Sequence, residues 1–170
     1  LIWYHFVART FMRKVRIVPR SPKAGEFIKQ FGLKATSNFI GHGVDGNIFH
    51  LQKEKKNFFI VIAHLDKGKN VMSILLLYQK FIKRYPNELY SLYIIGEGEE
   101  SERLQEYVRT NQLNKQIFFL GKMPQKELCK YLGNSVCMLC NSIKEMNTLS
   151  IGEAVVAGTP VLTNTVPYNH

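Results

Sequence analysis

From residue 58 onward the chain alternates short apolar, β-rich runs with longer segments of helical periodicity, and this alternation constrains its fold more than any other feature. The runs "FFIVIA", "LYSLYIIG", "QIFFLG", "VCMLC" and "PVLTN" are separated by "NVMSILLLYQKFIKRYP", "ESERLQEYVRTNQL", "QKELCKYLGNS" and "TLSIGEAVVAG". In the first helical segment Val71, Ile74, Leu75, Tyr78 and Ile82 recur at three-and-four spacing, and Pro86 lies just beyond. That pattern predicts one buried stripe and a stop. The strand runs are apolar throughout, which suits strands covered on both faces. The fold class predicted is therefore α/β, a Rossmann-like doubly wound parallel sheet with helices on both sides, whose ligand binds beyond the carboxyl ends of the strands.

Ahead of the alternation, "VRIVPRS" reads as a strand and "PKAGEFIKQFG" as a helix, and the Gly-rich "ATSNFIGHGVDGNIFH" reads as a domain boundary. This separates residues 1–40 from residues 41–170. The chain opens at Leu1 in what reads as mid-helix, "LIWYHFVARTFMRK", so a fragment of a longer protein is expected. This basic, aromatic opening suits either a peripheral contact with an anionic membrane or an interdomain helix. No stretch approaches the roughly 20 apolar residues of a membrane-spanning helix. Cys129, Cys137 and Cys140, in a chain without a recognisable secretory signal, point to a reducing compartment, the cytoplasm by default. Cys137 and Cys140 fall three apart on a strand, hence on opposite faces, and read as inert buried thiols.

The 23 basic residues exceed the 13 acidic ones, giving a net charge of +10. An excess of that size implies attraction to phosphate, whether in nucleic acid, a lipid surface or a small substrate. A nucleic-acid binder finds no recognition motif here, and its lysines are dispersed. Within the chain, two helix starts compete as phosphate sites. The turn "IIGEGEE" carries a GxG, but Glu97, Glu99, Glu100 and Glu102 crowd the helix entrance and would repel a pyrophosphate, so it reads as structural. The second start, near Thr148 in "MNTLSIG", offers backbone amides and no competing acid, with Thr148 or Ser150 as cap and Gly158 and Pro160 as its end. Glu145 and Glu153 flank that neutral run. They read either as acceptors for sugar and ribose hydroxyls or as a solvated acid and a helix-dipole partner. "AHLDKGKN" places His64, Lys67 and Lys69 at the end of the first strand, where they read either as a solvated basic loop or as cations suited to a diphosphate leaving group. The histidines are scattered and no ligand spacing implies a metal or other cofactor.

These residues together resemble the C-terminal, donor-binding half of GT-B retaining glycosyltransferases of family 4, also called group 1. "SIKEMNTLSIGEAVVAGTPV" is similar to the family's E-x7-E signature and the EA-x-x-x-G-x-PV run after it; "GHGVDGNIF", "YIIGEGEESERL", "QIFFLGKMPQKEL" and "IAHLDKGKN" match further family segments in order. The resemblance implies transfer of a hexose from a UDP- or GDP-linked sugar to a glycan or lipid-linked acceptor, in polysaccharide or glycolipid synthesis at the inner face of the cytoplasmic membrane. It implies that Lys69 clasps the donor diphosphate and that Glu145 approaches the donor sugar. It also implies that Glu153 reads the ribose, that Asn147, Thr148 and Leu149 offer backbone amides, and that Gly121, Lys122 and Met123 border the base. His64 stands where arginine is usual, and a neutral imidazole is a weaker, pH-dependent diphosphate ligand. The acceptor domain of the family would precede this chain, and without it the chain is a donor-binding module with no transfer activity of its own.

Overall fold

The structure is a computed structural model and describes residues 17–19, 22–30, 32–38, 43–51, 54–143 and 149–164. These residues fall in two compact units, one before Val44 and one from Val44 onward. The first holds helix α1 (Pro22–Gln30) and a single parallel bridge between Ile17 and Ala35. Of the segment expected as a strand around Val18, the described residues 17–19 pair at Ile17, where the Thr36 N–H donates to the Ile17 carbonyl at 3.0 Å.

The second unit runs β1 (Phe58–Ile62), a 3-10 turn (Lys67–Lys69), α2 (Val71–Arg84), β2 (Ser91–Ile95), α3 (Ser101–Thr110) and β3 (Ile117–Gly121). It continues with α4 (Gln125–Asn134), β4 (Cys137–Cys140), α5 (Leu149–Val156) and β5 (Val161–Thr163). All five strands are parallel in the order β3-β2-β1-β4-β5, which is the doubly wound sheet predicted. The chain winds outward from β1 to β3, then crosses to the far side of β1 and winds outward again. β1 and β4 therefore flank the switch point, where neighbouring connections leave on opposite faces and open a crevice.

Two apolar clusters confirm the layering. On one face Val71, Ile74, Leu75 and Tyr78 of α2 and Leu104 and Val108 of α3 pack on Val61, Leu92, Ile94 and Ile117. On the other, Leu128, Cys129 and Leu132 of α4 and Ala154 of α5 pack on Phe58, Ile60, Ile95 and Met138. The buried stripe of α2 is the one its spacing predicts, with Ile82 only partly buried near the helix end. Coverage on both faces holds for the central strands but weakens outward: Phe118 of β3 and Leu162 of β5 are exposed. An edge strand has one partner and a shorter span of helix above it, so apolar sequence there does not ensure burial.

The connections at the carboxyl ends are tied by backbone contacts. Asp66 caps the 3-10 turn, its Oδ1 accepting from the Lys69 N–H at 2.9 Å. The turn after β2 lies directly on the loop after β1. A Cβ on Gly96 would stand 1.9 Å from the Ala63 carbonyl oxygen, and one on Gly98 would stand 2.4 Å from that of Leu65. Only glycine permits these approaches, and Gly96 also holds φ at +131°. In the same place the Leu65 N–H donates to the Glu97 carbonyl and the Glu100 N–H to that of Leu65, each at 2.9 Å. We expect Gly98→Ala to destabilise the fold by about 3 kcal/mol, because main chain and not a flexible side chain must give way. Urea unfolding of the variant, with a lowered midpoint and an unchanged slope, checks this.

Candidate functional site

Beyond the carboxyl ends of β1, β2 and β3 lies a cleft of about 800 Å³. Ala63 and His64 reach it from the end of β1 and Lys69 from the 3-10 turn. Gly96, Glu97 and Gly98 line it after β2, and Lys122 and Met123 after β3; α4 contributes Leu128, and α5 contributes Leu149, Ser150 and Glu153. The amino end of α5 thus borders the cleft, where unpaired backbone amides and the helix dipole favour an anion.

Of the residues singled out in the sequence, His64, Lys69, Lys122, Met123, Leu149 and Glu153 meet in this one cleft. Gly121 stands just behind it; a Cβ there would lie 3.5 Å from Glu97 Oε1. Glu145, Asn147, Thr148 and His42 lie outside the described residues. The turn "IIGEGEE" requires a correction. Its glycines are structural, as read, but Glu97 precedes α3 on the loop instead of crowding the helix entrance, and it lines the cleft. Leu128 was not singled out at all. A clue to Glu97 was present, since a GxG at the carboxyl end of an apolar strand lies on the ligand side of such a sheet.

Glu153 is the least comfortable residue of the site. It is buried on α5, with 5% of its surface exposed. No side-chain or backbone donor among the described residues reaches its carboxylate. Desolvation accordingly raises its pKa above the ordinary carboxylate value. α5 is anchored at its far end by a cation: Lys55 Nζ donates to the carbonyls of Gly133 at 2.7 Å and Gly158 at 3.1 Å, and to Thr159 Oγ1 at 3.2 Å. Thr159 Oγ1 in turn donates to the Leu132 carbonyl at 2.6 Å. This clamp joins the carboxyl ends of α4 and α5, where a positive charge complements both dipoles. It fixes α5 along its axis, and so fixes the height of Glu153 in the cleft.

The cysteines of β4 carry no redox signature. Cys137 and Cys140 are both half-buried and in no disulfide, and burial pushes the Cys137 pKa up, the opposite of an activated thiolate. Among the described residues no group of three His, Cys, Asp or Glu side chains is arranged to hold a metal, and no helix is long and apolar enough to cross a membrane. A second, smaller cleft of about 560 Å³ lies at the amino end of the sheet, lined by Lys56, Tyr93, Lys130 and Tyr131 among others.

The family model described as glycosyl transferases group 1 matches residues 44–169. An uncharacterized glycosyltransferase of Methanocaldococcus jannaschii is 29% identical over 118 residues, covering 66% of this chain and 28% of that protein. The alpha-monoglucosyldiacylglycerol synthase of Streptococcus pneumoniae is 22% identical over 157 residues, covering 90% of this chain and 33% of that protein. Among solved structures, the pneumococcal O-GlcNAc transferase GtfA in complex with UDP and GlcNAc superposes with a TM-score of 0.74 at 20% identity, over 90% of this chain and 30% of that one. That likeness establishes the fold, and the chain spans about a third or less of the length of each of these proteins.

The raised pKa of Glu153 has a consequence for stability. Its native pKa exceeds the unfolded value, so between the two the native state holds the extra proton. Its protonated form favours the fold at low pH, and stability falls as pH rises through the native pKa. We expect Glu153→Gln to raise the melting temperature at pH 7 by roughly 2 °C or more. The gain should vanish below about pH 4.5. Calorimetric melting across pH 4 to 8 measures it.

Proposed function

The chain belongs to the family of glycosyl transferases group 1, and from that premise we propose that its cleft binds the nucleotide-sugar donor of a retaining hexosyltransferase. The observation that carries this reading is Glu153, a buried residue that lines the cleft on the helix whose start favours an anion, with no donor to its carboxylate among the described residues. A charge kept at a cost to stability is typical of a group that serves a ligand. Vicinal ribose hydroxyls supply the missing donors, in charge-assisted bonds.

The remaining residues divide the donor between them. His64, just after β1, and Lys69, on the 3-10 turn, share the cleft with the start of α5 and together hold the diphosphate. Asn147, Thr148 and Leu149 add backbone amides, and Gly121, Lys122 and Met123 border the base. Glu145 takes the hydroxyls of the hexose. Transfer with retention then proceeds on one face of the sugar. The bond from the anomeric carbon to the diphosphate oxygen breaks with its electron pair leaving on that oxygen, Lys69 stabilises the charge, and the acceptor hydroxyl attacks while passing its proton to the departing oxygen. The reaction needs no metal in this account. Residues 41–170 form the donor-binding part, residues 1–40 belong with the acceptor side, and the acceptor is a glycan or a lipid-linked sugar at the cytoplasmic face of a membrane. Similarity to a glucosyldiacylglycerol synthase and the net charge of +10 support that placement.

Titration calorimetry with UDP, GDP and their sugars tests the reading. At least one nucleotide should bind, and Glu153→Gln should weaken that binding about tenfold or more, since a neutral amide accepts hydroxyl hydrogen bonds less strongly. An unchanged affinity in the folded variant would return Glu153 to a purely structural role. Combined with the rise in melting temperature above, the two effects separate loss of function from loss of fold.

A further inference from the structure

The lining of the cleft mixes the cations Lys69 and Lys122 with the apolar side chains of Ile95, Met123 and Leu128. A diphosphate suits the first and a flat heterocycle the second, because apolar side chains gain by covering ring faces. The same lining holds a carboxylate that the division of roles above leaves unused, that of Glu97.

Glu97 is presented by a rigid turn. The Gly96 N–H donates to the Gly121 carbonyl at 2.9 Å, and the Glu97 carbonyl accepts from the Leu65 N–H at 2.9 Å, so the residue is braced from both neighbouring strand ends. Its Oε1 accepts from the Lys122 N–H at 3.4 Å, which brings the carboxylate to the edge of the strip formed by Lys122 and Met123. That bond is long, and among the described residues nothing else donates to the carboxylate.

An ionised carboxylate only accepts hydrogen bonds. Guanine offers it two adjacent donors, N1–H and the 2-amino group, which match its two oxygens in the same forked geometry that an arginine uses. Uracil offers a single N3–H between two carbonyl oxygens, and these repel a carboxylate set side-on. Adenine places an acceptor beside its amino group. We infer that Glu97 makes the cleft select guanine, so that the donor is a GDP-linked sugar. This inference rests on the reading of the cleft as a donor site, and it sets the chain apart from the pneumococcal transferase structure that holds UDP.

Titration calorimetry with GDP and UDP, on the wild type and on Glu97→Gln, tests it. The wild type should bind GDP at least about tenfold more tightly than UDP, as a site built around a donor pair rejects a base lacking it. Glutamine presents one acceptor beside one donor, the complement of the N3–H and O4 edge of uracil, so the variant should lower the GDP-to-UDP preference about tenfold or reverse it. Glu97 is exposed, and an unchanged melting temperature verifies that the fold is retained. Equal or tighter binding of UDP by the wild type, or an unchanged ratio in the variant, overturns the inference while leaving the donor site standing. Binding of neither nucleotide by the wild type overturns both.

Discussion

The contact on which the site depends is the close lie of two loops, the one after β1 and the one after β2. Gly96 and Gly98 bring main chain against the carbonyls of Ala63 and Leu65 at distances no side chain would permit. Because β1 and β2 are paired in register over their whole length, from Phe58 with Ser91 to Ile62 with Ile95, the loops leave the sheet at the same level. The floor of the cleft is therefore backbone, and it cannot shift without disturbing the strands beneath. His64 and Lys69 rise from one loop and Glu97 from the other, so their separation is set by the sheet and not by flexible chain.

Against this rigid floor the wall made by α5 is a balance of opposed charges. Its carboxyl end is held by Lys55, partly withdrawn from water so that its pKa falls, and a cation at that end agrees with the helix dipole. Midway along it Glu153 is buried with no donor among the described residues, and its pKa rises. One ionised group stabilises the helix where it ends and the other destabilises the interior near the ligand. The arrangement is coherent if a ligand supplies hydroxyl donors to Glu153, and wasteful otherwise.

Much of the fold was legible because its signal is periodic. The stripe from Val71 to Tyr78 and the apolar runs of β1 and β2 led to the parallel sheet and its two layers without further help. Edge strands were less legible, since Phe118 and Leu162 carry the same residue types as the centre and differ only in what covers them. Within the site, residues at strand ends could be placed from topology, as His64 and Lys69 were. Glu97 was less legible, because its place depends on the loop that carries it ahead of α3 and into the cleft lining. Leu128 could not be found that way, because it reaches the cleft from a helix whose buried face is otherwise ordinary core.

The central claim is that a nucleoside diphosphate settles at the carboxyl ends of β1 and β2, against the start of α5. Hydrogen exchange read by mass spectrometry, with and without saturating GDP or UDP, locates the ligand directly. The account predicts slowed exchange in residues 63–69, 96–98, 121–123 and 149–153. Slowed exchange confined to the opposite end of the sheet, around Lys56 and Tyr131, would contradict it.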